Sequence, residues 1–434
     1  MKKTNISTFI FMFFGFGLFG QNLEKQIITT DVDNFWIAYD QIIQSNDSLK
    51  RIKLINQLYI NKGTEGLKGL MAAKSYKDYE LVNNIMSYPK YWNSIRENTK
   101  NLTKDAAQIE KYLLKLKAIY PELKPANIYF AIGAFRSGGT YEGNKVLFGA
   151  EFMLAQKNAV VEELPERIKN ILAEYSPYDI PLTAIHEYIH TQQKRWENQS
   201  IIHLCVAEGV AEFISTLITE KPLSPPVKFG KQNPEKVLDK YMFEILRNND
   251  AWNWLWSENQ NDLKVNDLGY YIGYEICERY YNNAIDKKKA IKELIELDYS
   301  NDDEFAKFVD GTNFLPITLN EIGIKYESLR PLVKQIVEFQ NGDQAVSTKI
   351  KTITVEFSEP MSSCCRSMDF EESKDVENLM IKKHIGWSDD KMKYTFEIEE
   401  LKPNTNYALI ISNFAKEDGG NRLAPYTIKF KTKE

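Results

Sequence analysis

The sequence predicts an α+β multidomain chain: a mainly helical region with a small β-sheet, followed by an all-β segment. Three observations predict it. Apolar residues recur at three and four positions through much of residues 26–121, as in Leu54 and Leu58. Two short β-rich runs, Ala126–Ile132 and Lys145–Met153, interrupt the helical pattern around a glycine turn at Arg136-Ser-Gly-Gly-Thr. From Lys349 onward the pattern alternates, as in Thr352–Phe357, Tyr394–Ile398 and Thr427–Lys431.

At the N-terminus, Lys2 and Lys3 precede the apolar run Ile10–Phe19, which is too short to span a bilayer as a helix. This is the pattern of a signal peptide, read as residues 1–21, so the mature chain is expected to be exported, to a periplasm or the extracellular space. Its removal takes the formal charge from −5 to −7. A mildly acidic chain without clustered Lys and Arg is not expected to bind nucleic acid. Hydrophobic residues make up 43% and charged residues 26%, which is a globular composition rather than a disordered one. No span of the membrane is expected in the mature chain.

The helical region runs from about Gln26 to Pro121. After the two expected strands, further helices are predicted at Pro165–Tyr175, Leu182–Gln193, Ile201–Ile218 and Gly269–Asn283, with Pro181 at a helix start. Aromatic-rich helices are read on to about Phe339, and Asn341-Gly342-Asp343 breaks the pattern. The resulting division is 22–343, made of a helical part 22–122 and a second part 123–343, then 344–434. About 90 residues of short strands at the end suggest a β-sandwich. Four cysteines, Cys205, Cys277, Cys364 and Cys365, are too few for a disulfide framework, and neighbouring Cys364 and Cys365 are not expected to bond each other.

The chemistry is concentrated in His186-Glu187-Tyr188-Ile189-His190. Residues four apart share a helix face, so two imidazoles can converge on one ion, and the intervening Glu can act as general base toward a water there. Only four histidines occur in 434 residues, so a chance match has a probability on the order of a few per thousand. The apolar neighbours Leu182, Ile185 and Ile189 argue that the helix is partly buried. A catalytic zinc needs a third protein ligand. Gln193 and Trp196 stand where a metzincin carries Gly and His, which excludes that class. His203 is a conceivable ligand, but no familiar spacing selects it. Glu208 remains. It lies in the apolar stretch Ile201–Ile218, where a carboxylate is costly unless paired or metal-bound. Gly209 beside it lets another helix approach closely. Glu212, one turn on, can fix a ligand histidine's tautomer or form an ordinary salt bridge.

His186-Glu187-x-x-His190 followed by Glu208-Gly209-x-Ala211 resembles the gluzincin metallopeptidases. Seventeen residues separate His190 from Glu208, close to the gap in the aminopeptidase N family. Bacterial predicted Zn-dependent proteases with a His-Glu-Tyr-x-His start look closer still. The resemblance implies a zinc ion held by His186, His190 and Glu208, with Glu187 as base and proton shuttle. It also implies an oxyanion-stabilising tyrosine in a Tyr-x-x-Gly pattern, which Tyr270 through Gly273 matches; Tyr271 and Tyr274 compete for the role. The aminopeptidases carry a substrate-gripping edge strand upstream, and Gly149-Ala150-Glu151 stands at a similar distance here. Glu151 is one position out of register, which puts exopeptidase activity in doubt.

The C-terminal segment is similar to bacterial Ig-like domains, through Ile353–Met361, Leu401–Tyr407 and Ile428–Thr432. Such domains mostly serve as spacers or as binding modules for a protein or a glycan. Together the resemblances imply a secreted zinc metallopeptidase acting on peptides or proteins. Two alternatives stand beside it: a catalytically silent binding protein on the same scaffold, and a zinc hydrolase with a non-peptide substrate.

Overall fold

The computed structural model describes residues 26–175, 179–195, 197, 200–247, 253–256, 262–371, 375–417 and 420–433. The expected signal peptide lies outside them. With about 48% helix, 16% strand and several small sheets, the fold is α+β overall. The chain divides into two compact units at Gln192/Gln193.

The first unit opens with β1 (Ile27–Ile28) and six helices. These are α1 (Thr30–Ile43), α2 (Ser48–Leu58), α3 (Glu65–Lys74), α4 (Asp78–Ser87), α5 (Pro89–Arg96) and α6 (Leu102–Ile119). Their apolar stripes meet in an aromatic core in which Phe35 packs edge-on against Tyr59 and at a tilt against Trp92. Three strands follow: β2 (Asn127–Ala131), β3 (Gly139–Glu142) and β4 (Lys145–Gly149). The sheet order is β1-β2-β4-β3, with β2 parallel to β4 and β3 antiparallel to it. α7 (Ala150–Met153), α8 (Glu166–Tyr175) and α9 (Ile180–His190) complete the unit.

Lys145–Met153 is not one strand, because the chain leaves the sheet at Gly149 and turns into α7. Nor is the segment at Gly149 an edge. Val146, Leu147 and Phe148 are all buried, as befits an inner strand paired on both sides. The edge on that side is β3, a strand without an apolar pattern, whose residues are half-buried or exposed; β1 is the other edge.

In the second unit come α10 (Ile201–Thr219), α11 (Pro225–Gln232), α12 (Pro234–Ile245), α13 (Gly269–Asn283), α14 (Lys287–Ile295), α15 (Asp302–Gly311) and α16 (Leu319–Ser328). α10 is long and apolar enough to cross a membrane by composition, with a mean hydropathy of 1.7, but 83% of that window is buried inside the protein. It is packed as a core helix, and α13 lies directly on it. A Cβ at Gly209 would stand 2.0 Å from the Gly273 carbonyl carbon, and one at Gly273 would stand 1.7 Å from the Cys205 carbonyl oxygen. Only two glycines allow the backbones to meet this closely.

The helices end at Ser328 rather than near Phe339. Val333–Ile336 is a strand, β5, which pairs with β6 (Thr352–Phe357). The remaining strands are β7 (Ser367–Asp369), β8 (Glu377–Asn378), β9 (Ile381–Trp387), β10 (Lys393–Ile398), β11 (Asn406–Ser412) and β12 (Tyr426–Lys431). They form one sheet of order β5-β6-β10-β9 and a second of order β12-β11-β7, with β8 also on β11. Alternate residues point inward: Ile353, Val355 and Phe357 from β6, and Tyr394, Phe396 and Ile398 from β10. They share one apolar core with Tyr407, Leu409, Ile411, Ile428 and Phe430 of the other sheet. Contrary to expectation, Cys364 and Cys365 are joined as a disulfide in the loop before β7, with Cα atoms 3.8 Å apart. Cys205 and Cys277 are buried thiols.

Candidate metal centre

α9 begins where the sequence marks it. The Asp179 carboxylate accepts the Leu182 N–H at 3.1 Å, and Pro181 occupies the first turn, where its missing donor costs nothing. Its other end is fastened by Tyr188 and Gln192, neither of which belongs to the metal group. The Tyr188 hydroxyl accepts the Ala126 N–H (2.9 Å) and donates to the Lys124 carbonyl (3.0 Å). The Gln192 carboxamide accepts the Lys124 N–H (2.7 Å) and donates to the Lys124 carbonyl (3.2 Å). The helix is thereby tied to the start of β2. Burial pushes the Tyr188 phenol up to about 12, so it stays neutral and able to do both.

His186 and His190 are both buried, at 8% and 5% exposure. Their Nε2 atoms are 3.2 Å apart and their rings stand nearly perpendicular. Two nitrogens at about 2.0–2.1 Å from a tetrahedral zinc would be separated by about 3.3–3.4 Å, so the pair already has the spacing of two ligands. Glu208 of α10, 9% exposed, completes the set: one ligand atom from each of the three residues lies within 4.8 Å of the others. A buried His-His-Glu group that can hold a metal ion is therefore present. The donors are two imidazoles and one carboxylate, a set that fits a divalent transition ion such as zinc or iron.

Glu187, half-buried, points the other way around α9 from the buried apolar residues, toward β3. A Cβ at Gly139 would come within 2.9 Å of its Oε1 and of the Phe148 ring, so a larger residue here would push the carboxylate and the ring aside. Two residues along β3, the Tyr141 ring stacks on His190, with centroids 5.3 Å apart and planes 16° from parallel. One face of the edge strand thus lies on the histidine helix. The glycine in Ser137-Gly138-Gly139 was the available sequence signal, but it reads equally as a turn.

The other expected site residues have separate surroundings. Tyr270, half-buried, stands in the first turn of α13. Tyr271 is packed over Gly230 and Phe314, and burial pushes its phenol up to about 12. Tyr274 packs edge-on against Phe213 under the Lys231 ammonium. Its phenol is raised by burial, by Glu278 and by the charge of Glu212. Glu212 is buried at 7% exposure and electrostatically coupled to Tyr274 of the same unit. His203 does not belong to the metal group: it stacks on Phe305 at 3.8 Å, and Ser200 Oγ lies 2.6 Å from its Nδ1. Burial lowers its basicity, as expected of a packed imidazole.

Gly149, Ala150 and Glu151 are not an exposed substrate strand. A Cβ at Gly149 would lie 2.1 Å from the Ser137 carbonyl oxygen, and Glu151 is 1% exposed, turned inward from α7. The Glu151 carboxylate accepts instead from the Gly133 and Phe135 amides. No protein-family model matches the chain, and no curated protein matches it either.

Proposed function

We propose that the chain is an exported zinc metallopeptidase of the gluzincin type, with a zincin-like catalytic domain followed by an Ig-like β-sandwich. The observation that carries this reading is the convergence of His186, His190 and Glu208, with Glu187 on the same helix turned toward the edge strand β3. The two C-terminal sheets around one core support the sandwich assignment. The basic and apolar leader pattern supports export.

When bound, zinc supplies Lewis acidity to a substrate carbonyl and to a nearby water. The chain's own residues do the rest. β3 offers an extended peptide a backbone to pair with, directly beside Glu187. Glu187 takes a proton from the attacking water and passes it to the amide nitrogen as the C–N bond breaks. The products are a carboxylic acid and an amine, with one water consumed. The Tyr270 hydroxyl donates a hydrogen bond to the carbonyl oxygen as it gains charge. The Ig-like domain would bind a protein or glycan.

The test is zinc content and peptide-library hydrolysis for the mature protein and Glu187→Gln. The expected result is one zinc in both and a rate roughly 10²–10⁴-fold lower in the variant. Equal cleavage by the two proteins, or none by a zinc-loaded wild type, rejects the peptidase reading.

A further inference from the structure

Glu151 is a buried acid with no part in the chemistry above. Both of its oxygens are engaged by backbone donors of the loop that leads to β3: the Gly133 N–H reaches Oε2 at 2.7 Å and the Phe135 N–H reaches Oε1 at 2.9 Å. The glutamate is itself held by the Tyr91 hydroxyl, which donates to its carbonyl oxygen at 2.5 Å. The loop is unusual at both contact points. A Cβ at Gly133 would sit 2.8 Å from Glu151 Oε1, and Phe135 is held in the left-handed region at φ +56°. A non-glycine residue adopts that conformation only where its surroundings enforce it. The Phe135 ring is wedged among Tyr88, Tyr91, Trp92 and Phe152. Four residues after Phe135 the chain enters β3 at Gly139, against Glu187, and two further on Tyr141 stacks on His190.

We propose that Glu151 is a positioning residue: by clamping the Gly133 and Phe135 amides it sets where β3 lies against α9, and so the spacing between the edge strand and Glu187. Packing alone would not call for a carboxylate here, because burying an ionisable group is costly and an apolar side chain fills space without that cost. What the carboxyl supplies is two acceptors at a fixed separation. The groups facing it are few. Tyr59 donates to the Ile132 carbonyl, and Tyr76 hangs over Gly133 with no hydrogen-bond partner for its hydroxyl among the described residues. Both phenols are raised by burial and stay neutral. Arg136 is bound to the Lys74 carbonyl and to Glu80, and Asp31 accepts from the Thr64 amide and hydroxyl. No cation neutralises Glu151 among these neighbours, and burial raises its carboxyl to about 7. Opening the loop lets water reach the carboxylate and restores its ordinary acidity. Rising pH therefore favours opening, by about tenfold between pH 6 and pH 8.

The proposal leans on the peptidase reading only for its catalytic consequence. The deciding experiment is hydrogen exchange on the whole zinc-loaded protein. In Glu151→Ala, amides of residues 133–142 are expected to exchange at least ten times faster than in wild type, with α1 and α6 unchanged and zinc retained. Glu151→Gln keeps one acceptor and is expected to fall between the two and to lose the pH dependence. Should the alanine variant not fold, wild type alone decides: corrected protection of the loop must fall about tenfold from pH 6 to pH 8. Protection of residues 139–142 that is unmoved by either variant or by pH overturns the proposal. So does a change confined to Gly133 and Phe135. A wild type that cleaves nothing rejects the peptidase reading and leaves this measurement intact. If peptides are cleaved, both variants should lower kcat/KM at full zinc occupancy.

Discussion

Replacing Gly273 by Ala tests the closest contact in the second unit. The added Cβ would stand 1.7 Å from the Cys205 carbonyl oxygen and 2.8 Å from Gly209 Cα, whereas ordinary contact begins at 3.4 Å. Both obstacles are backbone, so no side chain can swing aside. The helices α10 and α13 must part by about 1.7 Å at this point, and overpacking of this kind costs about 1–3 kcal/mol or more. Against it stands a gain of roughly 0.5–1 kcal/mol from removing a glycine from a helix interior. A net loss of about 2 kcal/mol is expected, or roughly 4–8 °C in the melting temperature for a unit of this size. Urea and thermal unfolding of zinc-free protein measure it. Gly209→Ala opens the same seam, so the double variant should cost less than the two single losses combined. If Gly273→Ala melts at or above the wild-type temperature, helix propensity outweighs the clash and the close packing has been misjudged.

His190→Ala or Glu208→Ala should each lower zinc affinity by several orders of magnitude in competition titration, whereas His203→Ala should leave zinc stoichiometry at wild type. Tyr188→Phe removes one acceptor from the Ala126 amide and one donor from the Lys124 carbonyl, and should cost about 1–3 kcal/mol in urea unfolding. Glu151 carries a folded-state pKa of about 7 against an ordinary 4.5. Its protonation therefore contributes stability that is complete below about pH 4.5 and is lost as pH rises through about 7. The amount is on the order of 3 kcal/mol. Wild type should gain on Glu151→Gln by up to that amount between pH 8 and pH 5 in denaturant midpoints.

The parts of this fold that could be read from the sequence are those with a strong period. Leu182–Gln193 shows its period plainly, and Ile201–Ile218 is a long apolar run in which two acids single out Glu208 and Glu212. Thr352–Phe357 and Tyr394–Ile398 alternate because each has one buried face. The edge strand escapes because Gly139-Thr-Tyr-Glu has no apolar pattern, and its glycine, close against Glu187 and the Phe148 ring, imitates a turn. Met153 looks continuous with β4 because Ala150–Met153 is as buried as the strand. The turn between them is set by contacts distant in sequence, with Gly149 under the Ser137 carbonyl and Glu151 on Gly133 and Phe135. The β5 segment Val333-Lys-Gln-Ile is too short to announce a period, and β6 decides its state.

α10 bears on how the chain is made as well as on what it does. While it is being synthesised, its nineteen residues resemble a stop-transfer segment to any insertion machinery that samples them. Glu208 and Glu212 lie within two residues of its midpoint, where a charge costs about 2.5–3.5 kcal/mol to place in a lipid bilayer. The carboxylate that completes the His-His-Glu group therefore also weighs against lodging the helix in a membrane. A Glu208→Leu variant studied in cells would alter targeting and metal binding together, and zinc loss should be measured on protein recovered from the soluble fraction.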